Sequence, residues 1–191
     1  RQAANCLYYK DVELPGGKSA TLWMSLYVDD VVMGGGTEEI RRKEIGKIFE
    51  KFPGTYIEPK IVGSTKCYDL NGIECEIEEK SRTILFHMSS YITKMLKERK
   101  LEGARVYSTP KVSSDLILRD KDKPTGFRVR ECLGGLIWIS TTARPDISYD
   151  VSALARFVGV YGENLGTANA AKKILQYLSG SKRRGIMYSP K

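Results

Sequence analysis

Two adjacent carboxylates, Asp29 and Asp30, stand out in the tetrapeptide Tyr27-Val28-Asp29-Asp30. Apolar, β-rich residues flank them, Thr21–Val28 before and Val31–Met33 after, so the spacing predicts two strands with the acidic pair in a tight hairpin turn. Such a turn concentrates negative charge on rigid backbone, and regular elements hold a site more tightly than a loop does. Hard oxygen ligands of this kind suit Mg²⁺, which binds through one or two carboxylates plus substrate phosphates and keeps several waters. In two-metal phosphoryl transfer the ions lie about 3.5–4 Å apart and stabilise the attacking and leaving oxygens. The plain alternative is a turn that uses Asp-Asp for solubility and local hydrogen bonds, since Asp is among the commonest turn residues.

The elements that must position this pair follow from the same stretch. Gly34-Gly35-Gly36 ends the second strand as a hairpin exit, Thr37 is placed to cap a helix, and Glu38 and Glu39 suit its first turn. Ile40, Ile45, Ile48, Phe49 and Phe52 recur at helical spacing until Pro53-Gly54. Upstream, Asp11 and Glu13 lie in a polar stretch beside Pro15-Gly16-Gly17 that reads as a loop. Residues 61–86 break into strand-like pieces with turns at Asn71-Gly72 and Glu79–Arg82, and a helix follows on Met88, Tyr91, Ile92, Met95 and Leu96. Ser108–Lys123 is polar and contains Pro110, the best candidate linker. The last third is helical: one helix on Leu133, Leu136 and Ile137, and a break at Arg144-Pro145-Asp146, with Asp146 as the cap of the next helix. A final helix starts near Thr167 and ends at Ser179-Gly180.

The 191 residues carry a formal charge of +8, an excess that suits a polyanionic partner. Lys172, Lys173, Lys182, Arg183 and Arg184 are the candidate nucleic-acid contacts, although cations at a helix end also gain from the helix dipole alone. Cys6, Cys67, Cys75 and Cys132 form no C-x-x-C pair and read as buried thiols, not a zinc site. His87 has no Ser or Cys partner in view and reads as a surface or half-buried structural residue. Gly16-Gly17-Lys18-Ser19 is not a phosphate loop, because Val12 stands where glycine is required and a strand follows. No run approaches the ~20 apolar residues of a membrane span, and no secretory signal is read. With Arg at position 1, the expectation is an intracellular chain (cytoplasmic particle or nucleus) that starts in mid-protein and has no membrane partner.

Four ordered blocks add a resemblance. The Tyr-Val-Asp-Asp hairpin and its helix look like the palm of reverse transcriptases. Val106-Tyr107-Ser108-Thr109-Pro110 resembles the V-x-T-P element of the Ty1/copia group. Leu133–Trp138 with Thr142–Ile147, and Ala170–Gly180, resemble that group's later blocks. The resemblance implies an α+β chain: a partial reverse-transcriptase palm of antiparallel hairpins with a packed helix over 1–87, then an all-helical thumb-like region over 88–181. Residues 182–191 would be a linker toward an RNase H domain. It makes Asp29 and Asp30 the catalytic metal ligands for Mg²⁺, and Tyr27 and Val28 the floor beneath primer end and nucleotide. It places a primer-contacting hairpin around Asp69–Glu76, where Asn71-Gly72 interrupts the family pattern, and it lacks the His-Trp expected before the last helix. The implied partners are an RNA/DNA template–primer duplex and a dNTP. The fingers and an upstream catalytic Asp are not read in this chain, so the expectation is a polymerase segment inactive alone. The alternative is a non-enzymatic remnant acting as a basic nucleic-acid-binding module.

Overall fold

The computed structural model describes residues 2–14 and 16–190, so Pro15 of the expected loop, and Arg1 and Lys191 of the outer segments, lie outside the described residues. Among the described residues the chain is α+β, with six helices and two antiparallel sheets. It divides into two compact units, Arg1–Tyr56 and Ile57–Lys191. The strands expected to belong with the acidic hairpin over 57–87 therefore fold with the helices.

In the first unit, β1 (Gln2–Ala4), β2 (Leu7–Leu14), β3 (Lys18–Tyr27) and β4 (Asp30–Gly34) pair in sequence order, and α1 (Glu38–Phe49) follows. Along β3 the side chains alternate, with Leu22, Met24 and Leu26 turned in and Trp23, Ser25 and Tyr27 turned out. Leu22, 3% exposed, is the single fully buried residue of this unit among the described residues. The loop expected around Asp11 and Glu13 is instead part of β2, in register opposite Thr21 and Ser19. The Thr21 hydroxyl donates to the Asp11 carboxylate at 2.9 Å. A polar strand holds here because its partner supplies the backbone hydrogen bonds and one face stays in water. Thr37 caps α1 as expected, its hydroxyl accepting from the Ile40 N–H. The helix stops at Phe49, and Phe52 is not on its stripe but 70% exposed.

In the second unit, β5 (Lys60–Val62), β6 (Thr65–Leu70), β7 (Ile73–Glu78), β8 (Thr83–His87) and β9 (Ile186–Tyr188) form one sheet in that order. Asn71 and Gly72, with φ of +56° and +85°, make the two-residue β6–β7 turn, a geometry that Asn-Gly favours. The helices are α2 (Ser89–Glu98), α3 (Ser114–Arg119), α4 (Val129–Thr142), α5 (Ser148–Tyr161) and α6 (Leu165–Ser179), with a 3-10 turn at Pro145–Ile147. Their apolar stripes meet in one core that includes Ile92, Leu96, Leu136, Ile139, Leu154, Ile174 and Leu178. Burying each such side chain contributes roughly 1.5–3 kcal/mol.

Several expectations fail here. The 108–123 linker contains α3, whose Ile117 is wholly buried; one buried apolar side chain in a short run suffices once a helix face receives it. The 182–191 linker contains β9, paired to β8 through Phe86↔Ile186 and Ile84↔Tyr188. Asp146 does not cap α5, which has no side-chain cap, because its carboxylate is engaged elsewhere. Asn164 caps α6 three residues before Thr167, in a reciprocal capping box with that residue. His87 is buried, at 3% exposure, and Cys6 is exposed although the other three thiols are shielded to varying degree. No helix of the described residues is long and apolar enough to cross a membrane.

Candidate functional site

The acidic hairpin is tighter than its sequence suggests. Tyr27 pairs directly with Asp30, so the turn consists of Val28 and Asp29 alone, and Asp30 is the first residue of β4 rather than part of the turn. Val28 takes φ +55°, a left-handed backbone that a β-branched residue adopts only under strain. Its side chain is 83% exposed, so no buried contact holds it there. This turn puts Asp29 at the apex. Directly opposed residues of an antiparallel pair share a face, so Asp30 stands beside Tyr27 on the outward face of the sheet. That face also carries Trp23, whose ring lies 5.4 Å from that of Tyr9. Tyr27 is 73% exposed and Trp23 45%.

Exposed carboxylates such as these are the hard oxygen donors that Mg²⁺ prefers. Among the described residues, no group of three or more His, Cys, Asp or Glu could hold a metal ion. Asp11 faces the same way but is opposite Thr21, six positions along β3 from Tyr27. At ~3.3 Å per residue that is about 20 Å away, so β2 supplies no third ligand.

The five candidate nucleic-acid residues all belong to the second unit, and the structure gives them different surroundings. Lys172 lies over the Phe127 ring at 5.2 Å and Lys173 over the Tyr107 ring at 5.5 Å. Arg183 donates to both oxygens of Glu76, at 2.9 and 2.7 Å. Arg184 donates to the Tyr177 hydroxyl at 2.7 Å and stands 3.9 Å from Asp146. Lys182, half-buried, follows the end of α6.

Two polar networks fix this region, and sequence spacing alone did not reveal either. Arg144 is wholly buried, yet its Nε and Nη2 donate to the two oxygens of Asp146 at 2.8 Å, and its Nη1 donates to the Ser181 carbonyl at 2.8 Å. The Tyr177 hydroxyl donates to the same carboxylate at 2.7 Å. Burial works against ionisation of Asp146, but the Arg144 and Tyr177 hydrogen bonds and the Arg144 charge outweigh it and hold the carboxyl low. Burial, then the Asp146 carboxylate, push the Tyr177 phenol up. The Arg-Pro-Asp tripeptide thus ties the α4–α5 corner to the end of α6; the Arg-x-Asp spacing was its available signal. In the second network the Ser89 N–H donates to His87 Nδ1, and His87 Nε2 is hydrogen-bonded to Glu76 at 3.0 Å. Burial opposes the Glu76 charge too, and His87 and Arg183 together overcome it and lower its pKa. Glu74 accepts from the N–H and hydroxyl of Ser90 at the start of α2. The hairpin expected to contact primer therefore commits Glu74 and Glu76 to internal bonds.

Compared with known proteins, the chain is similar to the retrovirus-related Pol polyprotein from transposon TNT 1-94 of Nicotiana tabacum, 26% identical over 187 residues, 92% of this chain and 13% of that protein. It is 30% identical over 179 residues to that from transposon RE1 of Arabidopsis thaliana, covering 91% of this chain and 11% of the relative. It is 26% identical over 169 residues to that from transposon RE2 of the same plant, 86% of this chain and 11% of the relative. The chain thus spans little more than a tenth of the length of these curated relatives. No family profile matches the chain, and no solved structure matches it significantly.

Proposed function

From a chain that belongs with the copia-type retrotransposon Pol polyproteins, we propose that this segment carries the metal-binding hairpin of an RNA-directed DNA polymerase. The observation that carries the reading is the turn itself: a strained two-residue apex that presents Asp29, with Asp30 beside Tyr27 on an open aromatic face. Asp29 is the direct ligand and Asp30 its partner. A Mg²⁺ held by these two carboxylates would supply charge neutralisation for nucleotide phosphates and for the primer 3′-oxygen. Tyr27 and Val28 form the floor against which primer end and dNTP are placed, and the β3–β4 register fixes their position. Further carboxylate ligands come from elsewhere in the polyprotein, since neither Asp11 nor any other described residue joins the pair.

Primer extension on an RNA template by the Pol protein containing this segment tests the reading. Asp29→Asn is expected to lower extension by about a hundredfold or more, because misplacing reacting groups by ~1 Å already costs that much. Extension at the wild-type rate would sink the proposal. A second reading, a non-catalytic nucleic-acid-binding module, is favoured by the location of the charge: the +8 falls in the second unit, while residues 1–56 hold eight basic and eight acidic residues. Such a module binds duplex with a steep salt dependence, is indifferent to Asp29→Asn, and weakens on Lys172→Ala with Lys173→Ala.

A further inference from the structure

The positive charge is more localised still. Residues 1–104 carry 16 basic and 16 acidic side chains, whereas residues 105–191 carry 15 basic and seven acidic. Within that stretch Arg119, Lys121, Lys123, Arg128, Arg130 and Arg144 each have a carboxylate partner. Arg183 and Arg184 are held by Glu76 and by Asp146 with Tyr177. Among the described residues Arg105 and Lys173 have no such partner, and they converge on one ring. The Arg105 guanidinium lies 5.4 Å from the Tyr107 centroid and the Lys173 ammonium 5.5 Å, so the two charges are within about 11 Å of each other.

Backbone geometry builds this meeting point. Tyr107 packs on the helical core. A Cβ placed on Gly180 would come within 2.3 Å of a Val106 methyl, so residue 106 lies directly on the end of α6, in space left by the missing side chain. Arg105 is thereby held over the same helix end that Lys182 follows, and Lys173 rises two turns earlier on α6. Unscreened like charges repel, and a ring face compensates each cation only modestly. A row of phosphates relieves that repulsion.

Resting on the nucleic-acid reading above, we propose that Arg105 and Lys173, which meet at Tyr107, form with Lys182 beyond the end of α6 a phosphate-backbone contact site for duplex nucleic acid. Arg105 and Lys173 touch phosphate oxygens, which positions the duplex without reading sequence. Lys182 adds a third cation at the helix end. Tyr107 is a positioning residue that holds the first two charges in place.

The test is a fluorescence-anisotropy titration of the full chain with a ~20-base-pair RNA–DNA hybrid, repeated across salt concentrations. Arg105→Gln and Lys173→Gln are each expected to weaken binding severalfold and to reduce the slope of log K against log salt by about one unit. Lys173→Arg and Tyr107→Phe should keep the wild-type slope, which separates a lost charge or misplaced cation from a damaged fold. Lys94→Gln, in the neutral part of the chain, should also leave the slope unchanged. Wild-type slopes in both charge-removing variants, with binding intact, would overturn this site while leaving the nucleic-acid reading standing. An absence of hybrid binding by the wild-type chain at low salt would overturn both.

Discussion

At the residue scale, Glu76 shows how one side chain can hold two distant parts of the chain. It accepts from His87 on β8 and from Arg183 after α6, and so fastens the segment that leads into β9. Its folded pKa is depressed, with burial outweighed by His87 and Arg183. A carboxylate held below its unfolded value contributes stability that is present above the unfolded pKa and is lost as pH falls through the folded one. The expected outcome is a melting temperature that drops below about pH 4.5. Glu76→Gln should be less stable near neutral pH and show a weaker acid dependence in a pH series of thermal unfolding. An acid limb of unchanged size would show that other carboxylates carry it. The strained Val28 belongs to this scale as well. Nothing in the tetrapeptide announces φ +55°, because a β-branched residue avoids that backbone; only the Tyr27↔Asp30 register imposes it.

At the element scale, the short helix α3 was hidden in a segment that reads as a linker. Its placement depends on Gly166, at the second position of α6: a Cβ there would stand 2.3 Å from the Ile117 carbonyl oxygen. Gly166→Ala is therefore expected to destabilise the second unit by about 1–3 kcal/mol through overpacking against backbone, measured by denaturant unfolding. A change within ±0.5 kcal/mol would mean that α3 is free to move aside. The longer elements were legible. The β3–β4 hairpin, the Thr37 cap, the strands after residue 60, and α2, α4, α5 and α6 all follow from period-two or period-3.6 patterns long enough to be unambiguous. Missed elements were those without a clear period of their own: β2 around Asp11, the six-residue α3, and the three-residue β9. Each takes its conformation from a partner distant in sequence, so local pattern carries little of the signal.

At the scale of the whole molecule, the two units differ in how much they bury. The second has a continuous core of wholly buried side chains, while the first has Leu22 alone among its described residues, and α1 buries none. Native-state hydrogen exchange should therefore show the amides of β2, β3 and β4 exchanging orders of magnitude faster than those of α4, α5 and α6. Equal protection in both would contradict this account. The same division separates the two kinds of candidate chemistry, with the carboxylate hairpin on a charge-neutral unit and the excess cations on the other.

The sequence alone determined the acidic hairpin, the main helices, the basic balance and the order of blocks that matches the copia-type Pol relatives. These depend on residue identity, on spacing within a dozen positions, and on order along the chain. Tertiary structure alone decided which residues share the turn with Asp29, and that residues 57–87 fold with the helices. It also decided which cations are already neutralised by Glu76 and Asp146, and that Arg105 and Lys173 meet at Tyr107. The physical reason is that register, burial and ion pairing join residues up to 107 positions apart, and such pairings leave no periodic mark in the chain that encodes them.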